Sequence, residues 1–403
     1  MIFFRKTVVN VCRLLSLLAL LTAFSCSSDD TTHYISVKIQ VVMPTGFKSS
    51  VSYAGQEVKL TKGSQVLTAV TDEKGIAQFT NLIPDVYDVS TSWEISGDEY
   101  VTMTEGDAEN KSVILSGSLL QKAFITEGEV VALQTEIATK QGLLISKVYY
   151  AGCKDNNNKS YTADQYIEFY NNSDESIYVD GLYFALAESE STPAYPAFSN
   201  SEYVYAKQVF QFPGSGTEYK LEPGASVLVA NSATDHTQSA SSSVDLTGAT
   251  FEAKGTRFAN NPAVPQLILK YTTYASLPYI NLLSGGDVAV VLFSTKDDVD
   301  SWEKVYKVGA TSGNMFIKIP SKTIMDGVEC LKNKATTGPE VTSKRLYNFI
   351  DAGYQFINSV NGYTGEVVCR IKSSVTNGRA YLKDTNNSTD DFSILTGIKP
   401  GAY

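Results

Sequence analysis

The strand pattern is clearest in residues 54–94, which read AGQEVKLTKGSQVLTAVTDEKGIAQFTNLIPDVYDVSTSWE. Apolar side chains alternate with polar ones, as at Val58 and Leu60, and this spacing places them on one face of a strand. The residues DEKG at 72–75 predict a hairpin turn, with Gly75 at the position that favours a positive φ. Short strands separated by such turns are typical of a β-sandwich.

Both flanks of this stretch continue the pattern. Upstream, Ile35, Val37 and Ile39 share one face of a predicted strand. The polar run QTEIATKQG at 134–142 predicts a link to a second unit. Beyond it, further strands are predicted at Ile145–Tyr149, at Tyr166–Tyr170 and around Ile177, Val179, Leu182 and Phe184.

The length of 403 residues is sufficient for two or three domains, each with its own core. We therefore predict an all-β protein with two tandem β-sandwich domains, at 34–136 and 142–403. Two segments, near 187–216 and 234–280, interrupt the strand pattern of the second domain and are predicted insertions.

Composition excludes several classes of function. The formal net charge is −10 and the pI is about 4.9, so the sequence lacks the basic character of a nucleic-acid-binding protein. The two histidines, His33 and His236, lie far apart, and each is expected to be a solvated loop residue rather than a zinc ligand or a catalytic base. No G-x-S-x-G, H-E-x-x-H or Walker motif occurs. We therefore predict that the protein is not an enzyme.

Two acids come closest to a catalytic pair, Glu168 in a predicted strand and Asp180 in a turn. Paired carboxylates can hydrolyse glycosides. The alternative that we favour is an ion pair of Glu168 with an arginine such as Arg345 or Arg370, which the family resemblance of the second unit, given below, implies.

Five cysteines are present, and Cys153, Cys330 and Cys369 lie in the predicted domains without a C-x-x-C pair. This spacing disfavours a cysteine metal site. One disulfide with one cysteine left over and three buried thiols both remain open.

The N-terminus has the proportions of a signal peptide. Basic residues precede an apolar stretch at Leu14–Phe24, which is too short to span a bilayer, since a transmembrane helix needs about 20 apolar residues. We predict a signal peptide at 1–25 and an acidic linker at 26–33.

Ala23, Ser25 and Cys26 resemble the lipobox of bacterial lipoproteins, which implies cleavage before Cys26 and lipidation of its thiol. The alternative is an ordinary signal peptide with a coincidental cysteine. The following SSDD, residues 27–30, resembles the export tag of Bacteroidetes lipoproteins. These resemblances imply a protein anchored by lipid to the outer membrane and facing the cell exterior, whereas the alternative for SSDD is a solvated linker.

Residues 34–135 resemble the carboxypeptidase-regulatory or Cna-B type sandwich, which has a transthyretin-like fold. The matching residues are Gly55, Val58, Leu60, Thr71–Ala77, Phe79–Leu82, Pro84 and Tyr87–Val89. Such domains are usually stalks or spacers, so the resemblance implies a spacer role.

The second unit resembles the lamin-tail type immunoglobulin-like sandwich. The resemblance rests on Ile145–Val148, Tyr166–Asn171, Asp180–Leu182, a hairpin at 221–233 and a strand within 282–293. Together with Asp326–Glu329, Arg345, Arg370 and Asp384–Phe392, the chain resembles an uncharacterised family of Bacteroidetes surface lipoproteins that joins the two sandwich types. That family implies a binding or accessory role at the cell surface.

Aromatic residues are concentrated in the first predicted insertion. Tyr195, Phe198, Tyr203 and Tyr205 are predicted to bind a ligand, because aromatic side chains in loops give a large, rigid contact area. The alternative is an extra hairpin, since Tyr203, Tyr205, Phe210 and Phe212 alternate as strand residues do.

The segment DTNNSTDDF at 384–392 places Asp384, Asn386, Ser388 and Asp390 at alternate positions. Alternating oxygen ligands are typical of a calcium loop, but Leu395 stands where a bidentate Glu is expected. Asx residues also form turns without metal. We favour the turn, with Ca²⁺ as the alternative and no other cofactor.

The sequence therefore predicts a lipid-anchored binding or accessory protein at the cell surface. Its expected partners are the outer membrane, a TonB-dependent transporter that it assists in nutrient capture, and a glycan or host protein; no nucleic acid is expected. The main rival is an adhesin or structural surface protein without an uptake role, and a glycan-active enzyme comes third.

Overall fold

The computed structural model describes residues 33–48, 53–104, 112–189, 202–253, 255, 257–397 and 399–403. The predicted all-β sandwich class is confirmed, because four sheets form the body of the molecule and helices are few and short. Within the described ranges, no helix is long and apolar enough to cross a membrane. The predicted signal peptide, Cys26 and most of the acidic linker lie outside the described residues.

The first pair of sheets is built from the N-terminal third of the chain. Its strands are β1 Ile35–Val42, β2 Glu57–Lys62, β3 Gln65–Val70, β4 Ile76–Leu82, β5 Asp85–Ile95, β6 Val113–Phe124, β7 Glu129–Gln134 and β8 Glu136–Thr139. One sheet has the order β4-β1-β7, with β1 and β7 parallel, and the other has the order β3-β2-β5-β6-β8. Helix α1, Gly97–Met103, follows β5 and begins with a capping box between Ser96 and Glu99.

The alternation in the sequence explains the core between these two sheets. Ile35, Val37 and Ile39 of β1 are buried and meet Val58 and Leu60 of β2. The intervening residues are partly or fully exposed, as expected for strands with one solvated face.

The second pair of sheets takes up the rest of the chain. Its strands are β9 Leu143–Tyr149, β10 Cys153–Lys154, β11 Ser160–Tyr161, β12 Tyr166–Asn171, β13 Ile177–Tyr178, β14 Tyr183–Ala187, β15 Tyr203–Gln211, β16 Lys220–Leu221, β17 Ser226–Ala230, β18 Phe251–Glu252, β19 Ile268–Thr272, β20 Val288–Phe293, β21 Lys304–Tyr306, β22 Met315–Pro320, β23 Ile324–Cys330, β24 Asn333–Lys334, β25 Gly338–Pro339, β26 Glu366–Arg370, β27 Lys372–Thr376, β28 Arg379–Leu382 and β29 Phe392–Thr396. The helix α2, Ser388–Asp391, is a single turn, and single 3₁₀ turns occur at His236–Gln238, Val299–Ser301, Ser321–Thr323 and Val341–Ser343.

A six-stranded sheet, β18-β17-β12-β9-β26-β29, faces a seven-stranded sheet with the order β21-β22-β15-β14-β20-β23 and β19 paired to β15. Val148, Phe169, Phe184 and Leu292 are fully buried in the large cluster between the two sheets. Strands such as β12 and β20 are buried along their whole length, because further segments cover their outer faces.

Three expectations about organisation are wrong in detail. The segment near 187–216 is not an insertion throughout, because its residues Tyr203–Gln211 form β15, which pairs with β14 and β22 in the seven-stranded sheet. The predicted link at 134–142 contains β8, which pairs with β6. The hairpin predicted at 221–233 is also wrong, since β16 pairs with β13 and β17 with β12.

The segment near 234–280 lies mostly outside regular structure but is held firmly by side chains. Glu252 accepts hydrogen bonds from Ala233 N (2.7 Å), Asn261 N (3.0 Å) and Gln266 Nε2 (2.9 Å). His236 is buried, not solvated as expected. Its Nε2 faces Ser232 O at 2.8 Å and therefore carries the proton in the neutral ring.

The three cysteines of the described part of the chain, Cys153, Cys330 and Cys369, are buried free thiols. Of the two open alternatives, the structure therefore has the thiols. Burial raises the pKa of Cys153 to about 12 and also raises that of Cys369, so both remain uncharged at neutral pH.

Candidate functional site

A cleft of about 300 Å³ opens between three loops of the second pair of sheets. We call it the basic cleft. The segments that form it are 281–285 before β20, Lys332 after β23 and 360–363 before β26, and Arg257 and Tyr279 close one side. Its size is at the lower end of the range for small-molecule sites.

Buried amide side chains fix the backbone of one wall. Gln165 Nε2 donates to Leu282 O (3.2 Å), and Asn231 both donates to Ile280 O (3.0 Å) and accepts from Ile280 N (2.9 Å). Gln208 accepts from Asn281 N at 2.8 Å. Because each amide is buried and bonded to main chain, this wall is rigid before any ligand arrives.

Two glycines allow the loops to approach each other. A Cβ at Gly362, where φ is +79°, would lie 2.0 Å from Ser284 O, and one at Gly286 would lie 2.6 Å from Leu331 O. The 360–363 loop is also held by Tyr363 N, which donates to Ala151 O at 2.7 Å. The cleft therefore depends on close main-chain packing that a larger residue would disrupt.

The lining of the basic cleft contains two cations and no carboxylate. The side chain of Arg257 lies against aromatic rings, 5.3 Å from the centroids of both Phe258 and Tyr279, and its Nη1 donates to the Tyr279 hydroxyl at 2.5 Å. Neither Arg257 nor Lys332 has an acidic partner among the described residues. No carboxylate neutralises their charges, so Lys332 and the remaining N–H groups of Arg257 can bind an anion.

Tyr363 supplies an aromatic surface and a further link to positive charge. Its ring lines the basic cleft and lies 4.9 Å from Lys154 Nζ. Asn281 and Asn361 also line the cleft and add side-chain amides. The arrangement can bind a negatively charged, hydroxyl-rich small molecule, because aromatic faces, amides and cations are its main components.

The aromatic residues predicted to bind ligand are not part of the basic cleft. Tyr195 and Phe198 lie outside the described residues. Tyr203 and Tyr205 are half-buried in β15, and Lys318 Nζ lies 4.2 Å from the Tyr203 ring. The strand alternative holds for this stretch, since Phe210 and the adjacent Phe212 are core residues. A binding role for Tyr203 and Tyr205 stays a prediction.

The segment predicted as a calcium loop surrounds an arginine. Arg370 is buried, and its Nη2 donates to Asp326 Oδ2 at 2.9 Å. Its Nη1 lies 3.3 Å from Asp384 Oδ1 and 3.5 Å from Asp391 Oδ2. Its Nε donates to Ile145 O at 2.9 Å. We call these groups the arginine cluster.

In the arginine cluster, burial and the neighbouring charges shift the pKa values in opposite directions. The pKa of Asp326 is raised to about 7 and that of Asp391 to about 6, because burial outweighs the opposite effect of the Arg370 guanidinium. Burial lowers the pKa of Arg370, but the three carboxylates raise it by a larger amount, so the net shift of this pKa is upward. The arginine therefore stays charged.

The remaining residues of the predicted calcium set make other contacts. Asn386 Nδ2 donates to Ser116 Oγ (3.1 Å), Ser388 Oγ donates to Asp351 Oδ2 (2.5 Å), and Asp390 accepts from Lys59 Nζ (3.1 Å). No group of three acidic, histidine or cysteine side chains suited to a metal ion occurs within the described ranges. Calcium binding stays an untested alternative, and the turn explains each contact without it.

Several of these contacts join the two pairs of sheets. Besides Lys59 with Asp390, Ser92 Oγ donates to Thr385 O (2.8 Å) and Ser118 Oγ donates to Ala352 O (2.6 Å). Tyr354 Oη donates to Asp88 Oδ2 at 2.7 Å. The 384–391 turn therefore links the first pair of sheets to the second.

The two candidate catalytic acids serve structural roles. Glu168 is fully buried and pairs with Lys147 at 3.0 Å, so the expected partners Arg345 and Arg370 were wrong. Arg345 pairs with Glu188 instead. Asp180 accepts from the main-chain N–H groups of Gly216, Glu218 and Tyr219, and the last two of these bonds are 2.8 Å long. Burial raises the pKa of Asp180, but these donors outweigh it and leave a net lowering.

Sequence reasoning missed every residue of the basic cleft. Arg257 and Tyr279 lie in the segment near 234–280 that the sequence predicts to be an insertion. The dipeptide Asn361-Gly362 was a usable signal, because it marks a tight turn. Nothing in the sequence shows that this turn meets the 281–285 segment.

The fold and site thus define an all-β sandwich with a cleft that is lined by two cations and no carboxylate. Residues 222–397 match the model of a family described as a protein of unknown function (DUF4876). That region includes Arg257, Tyr279, Lys332 and Tyr363. No curated protein matches the chain.

Solved structures give one informative likeness. A crystal structure of a DUF4876 family protein from Bacteroides thetaiotaomicron VPI-5482 is 24% identical, with a TM-score of 0.57, over 89% of this chain and 94% of that chain. At this identity the likeness shows the fold.

Two other structures are much less similar. The Bacillus anthracis TIE protein is 13% identical with a TM-score of 0.17, over 49% of this chain and 28% of that chain. A DUF3823 family protein from Parabacteroides merdae ATCC 43184 is 9% identical with a TM-score of 0.15, over 44% and 90%. TM-scores this low carry no argument about fold or function.

Proposed function

We propose that the protein is a lipid-anchored binding protein of the cell surface that captures a small anionic ligand in the basic cleft. The observation that carries this proposal is the lining of the cleft, which has two cations and no carboxylate in a chain whose net charge is −10. Although the net charge repels anions at long range, two cations without a carboxylate in the lining attract an anion that enters the cleft.

The ligand that fits best is a saccharide bearing a carboxylate. The guanidinium of Arg257 and the ammonium of Lys332 would bind the carboxylate, and the ring of Tyr363 would pack against the sugar. The amides of Asn281 and Asn361 would bond hydroxyl groups. The rigid wall at 280–282 supports this role, because little conformational freedom is lost when the ligand binds.

The wider assignment includes location and partners. Cleavage before Cys26, its lipidation and export by the SSDD tag would place the protein on the outside of the outer membrane. The first pair of sheets would act as a regulatory-like or Cna-B-like spacer, and the second as a lamin-tail-like domain. The captured ligand would pass to a TonB-dependent transporter. Ca²⁺ is not needed for this role.

The ligand class is tested with two trisaccharides, one of which carries a carboxylate at C6 of each unit where the other carries a hydroxymethyl group. We expect trigalacturonate to bind saturably in isothermal titration calorimetry, with an affinity that falls as salt increases, and galactotriose to bind at least tenfold more weakly. Arg257→Gln and Lys332→Gln should each weaken trigalacturonate binding about tenfold. Lys334→Gln is the matched control, because Lys334 pairs with Glu340 at 2.6 Å.

Equal binding of the acidic and neutral sugars would overturn the proposed ligand class. Full affinity in both Arg257→Gln and Lys332→Gln would overturn the proposed site. Binding to host glycoprotein without any saccharide binding would favour the rival adhesin role, and sugar turnover would favour an enzyme.

Location is tested separately with Cys26→Ser. We expect wild-type protein to fractionate with outer membranes and to be digested by protease added to intact cells. The variant should lose its membrane association. Membrane association that survives Cys26→Ser would contradict the lipid anchor.

A further inference from the structure

Residues 399–403, KPGAY, cross the buried ion pair of Lys147 and Glu168, and we call this segment the strap. Both side chains of the pair are fully buried, on adjacent strands β9 and β12. Glu168 alternates along β12 with the core residues Ile167 and Phe169, so it points to the other face of the sheet.

The strap inserts one tyrosine at this pair. The Tyr403 hydroxyl donates to Glu168 Oε1 at 2.5 Å and lies 2.8 Å from Ser146 Oγ and 3.0 Å from Ser226 Oγ. Lys147 Nζ lies 3.7 Å from the centre of the Tyr403 ring, a cation–π contact.

The strap backbone is recognised as well. Gly401 N donates to Glu168 Oε2 at 3.0 Å, and Lys372 Nζ donates to Tyr403 O at 2.8 Å. The ring of Tyr170 meets the edge of the Tyr403 ring at a centroid distance of 4.9 Å. The groove therefore binds a tyrosine side chain together with the main-chain N–H group two residues before it.

The energetics point to a site rather than to simple packing. A buried ion pair is stable only when its remaining hydrogen-bonding capacity is satisfied. Among the described residues, three groups donate to the Glu168 carboxylate: Lys147 lies on the sheet, and the other two belong to the strap. Burial and the neighbouring Glu168 raise the pKa of Tyr403, so the phenol keeps the proton that it donates.

Part of the strap is exposed to solvent. Lys399, Gly401 and Ala402 are exposed, and a cavity of about 460 Å³ lies between the strap and the loop around Ser243. Its anchoring contacts are thus concentrated at Gly401 and Tyr403. A short segment held at two residues can open locally, and a second segment with the same donors can then complete the bonding of Glu168.

We propose that this groove is a recognition site for a peptide with the pattern Gly-x-Tyr, and that the strap is its built-in occupant. A partner segment of the same pattern would bind in trans by displacing the strap, with the tyrosine hydroxyl on Glu168 and the ring against Lys147. This site shares no lining residue with the basic cleft. It can therefore succeed or fail independently of the proposed function.

The test uses full-length Tyr403→Ala and the fluorescein-labelled peptide Lys-Pro-Gly-Ala-Tyr, with Lys-Pro-Gly-Ala-Phe as the matched control. We expect the variant to bind the tyrosyl peptide saturably in fluorescence anisotropy, and at least tenfold more tightly than the phenylalanyl peptide, because only the phenol can bond Glu168. Wild-type protein should bind at least tenfold more weakly than the variant, since its own strap competes.

Absence of saturable binding to Tyr403→Ala, or equal binding of the two peptides, would overturn the proposal. If Tyr403→Ala loses its β-sheet circular dichroism, the titration is repeated on Tyr403→Phe. A preference of that variant for the tyrosyl peptide over the phenylalanyl peptide supports the proposal, and equal binding overturns it. Lys372→Ala should weaken tyrosyl-peptide binding, and trigalacturonate binding should be the same in all of these variants.

Discussion

Basic side chains in the second pair of sheets occur in two opposite settings. Arg370 is buried at the centre of the arginine cluster, and Asp326, Asp384 and Asp391 surround it. Arg257 and Lys332 line an open cleft that contains no acid. The first setting neutralises positive charge inside the chain, and the second leaves it available to something else.

The difference separates charge used for stability from charge available for binding. A buried, fully bonded cation cannot bind an external anion without breaking the fold, whereas an open cation with no carboxylate beside it can do so at little cost. The acidic turn at 384–391 is the conspicuous pattern in the sequence, yet its charges are matched within the chain, whereas the basic cleft, whose charges are not matched, has no such pattern.

Loss of the central cation should have the largest effect on stability. Arg370→Met leaves buried Asp391 and partly buried Asp326 and Asp384 without their partner, and we expect a loss of about 3–5 kcal/mol in the free energy of unfolding. Urea denaturation measures it. The control Lys334→Met breaks an exposed pair and should cost less than about 1 kcal/mol. Equal effects of the two substitutions would remove the distinction between the settings.

Glu329 sharpens the comparison, because it is a buried acid that is incompletely bonded. Its Oε2 accepts from Arg345 N and Leu346 N, but its Oε1 has no hydrogen bond among the described residues. Burial raises its pKa from an ordinary value of 4.5 to about 7. The folded state therefore holds its proton more tightly than the unfolded state does.

The sign of the resulting pH dependence follows from linkage. Between about pH 4.5 and pH 7 the folded protein binds more protons, so its stability should fall as the pH rises. The contribution of Glu329 is at most about 3 kcal/mol. In urea titrations at several pH values, Glu329→Gln should show a flatter profile than wild type, and an unchanged profile would contradict the assignment.

The close approach of the cleft loops gives a smaller effect with a matched control. In Gly362→Ala the new Cβ meets Ser284 O, so we expect a loss of about 2 kcal/mol and weaker trigalacturonate binding. Gly365→Ala has a similar positive φ but open space around the Cβ, so about 1 kcal/mol is expected, with full binding. Thermal unfolding and calorimetry measure the two quantities.

Calcium should have the smallest effect. Since Asp384 and Asp390 already face Arg370 and Lys59, addition of Ca²⁺ or of a chelator should shift the melting temperature by less than about 1 °C. A shift of several degrees that Asp384→Ala abolishes would show that the turn is a calcium site after all.

Sequence reasoning succeeded where one period governs a whole element. The alternation at Ile35, Val37 and Ile39 gave strand β1 and its buried face, because burial of one face of a sheet imposes that period. It was less successful at β15: the alternation of Tyr203 and Tyr205 indicates a strand, but it does not show whether that strand belongs to the main sheet or to an extra hairpin. For this reason the sequence pattern predicted an insertion at Tyr203–Gln211 rather than a strand of the main sheet.

The candidate site could not be read from the sequence because its parts are distant along the chain. Arg257, Lys332 and Tyr363 meet only through loop packing that depends on Gly286 and Gly362. Partners of buried charges were equally hidden: Glu168 was assigned to an arginine, but its partner is Lys147 on the neighbouring strand. Register, not composition, sets such pairs.

The most direct test of the binding role is the crystal structure of the protein with trigalacturonate. We expect a carboxylate of the sugar within hydrogen-bonding distance of Arg257 and Lys332, and a sugar ring packed on Tyr363. Ordered sugar at any other place, with the basic cleft holding only water, would contradict it.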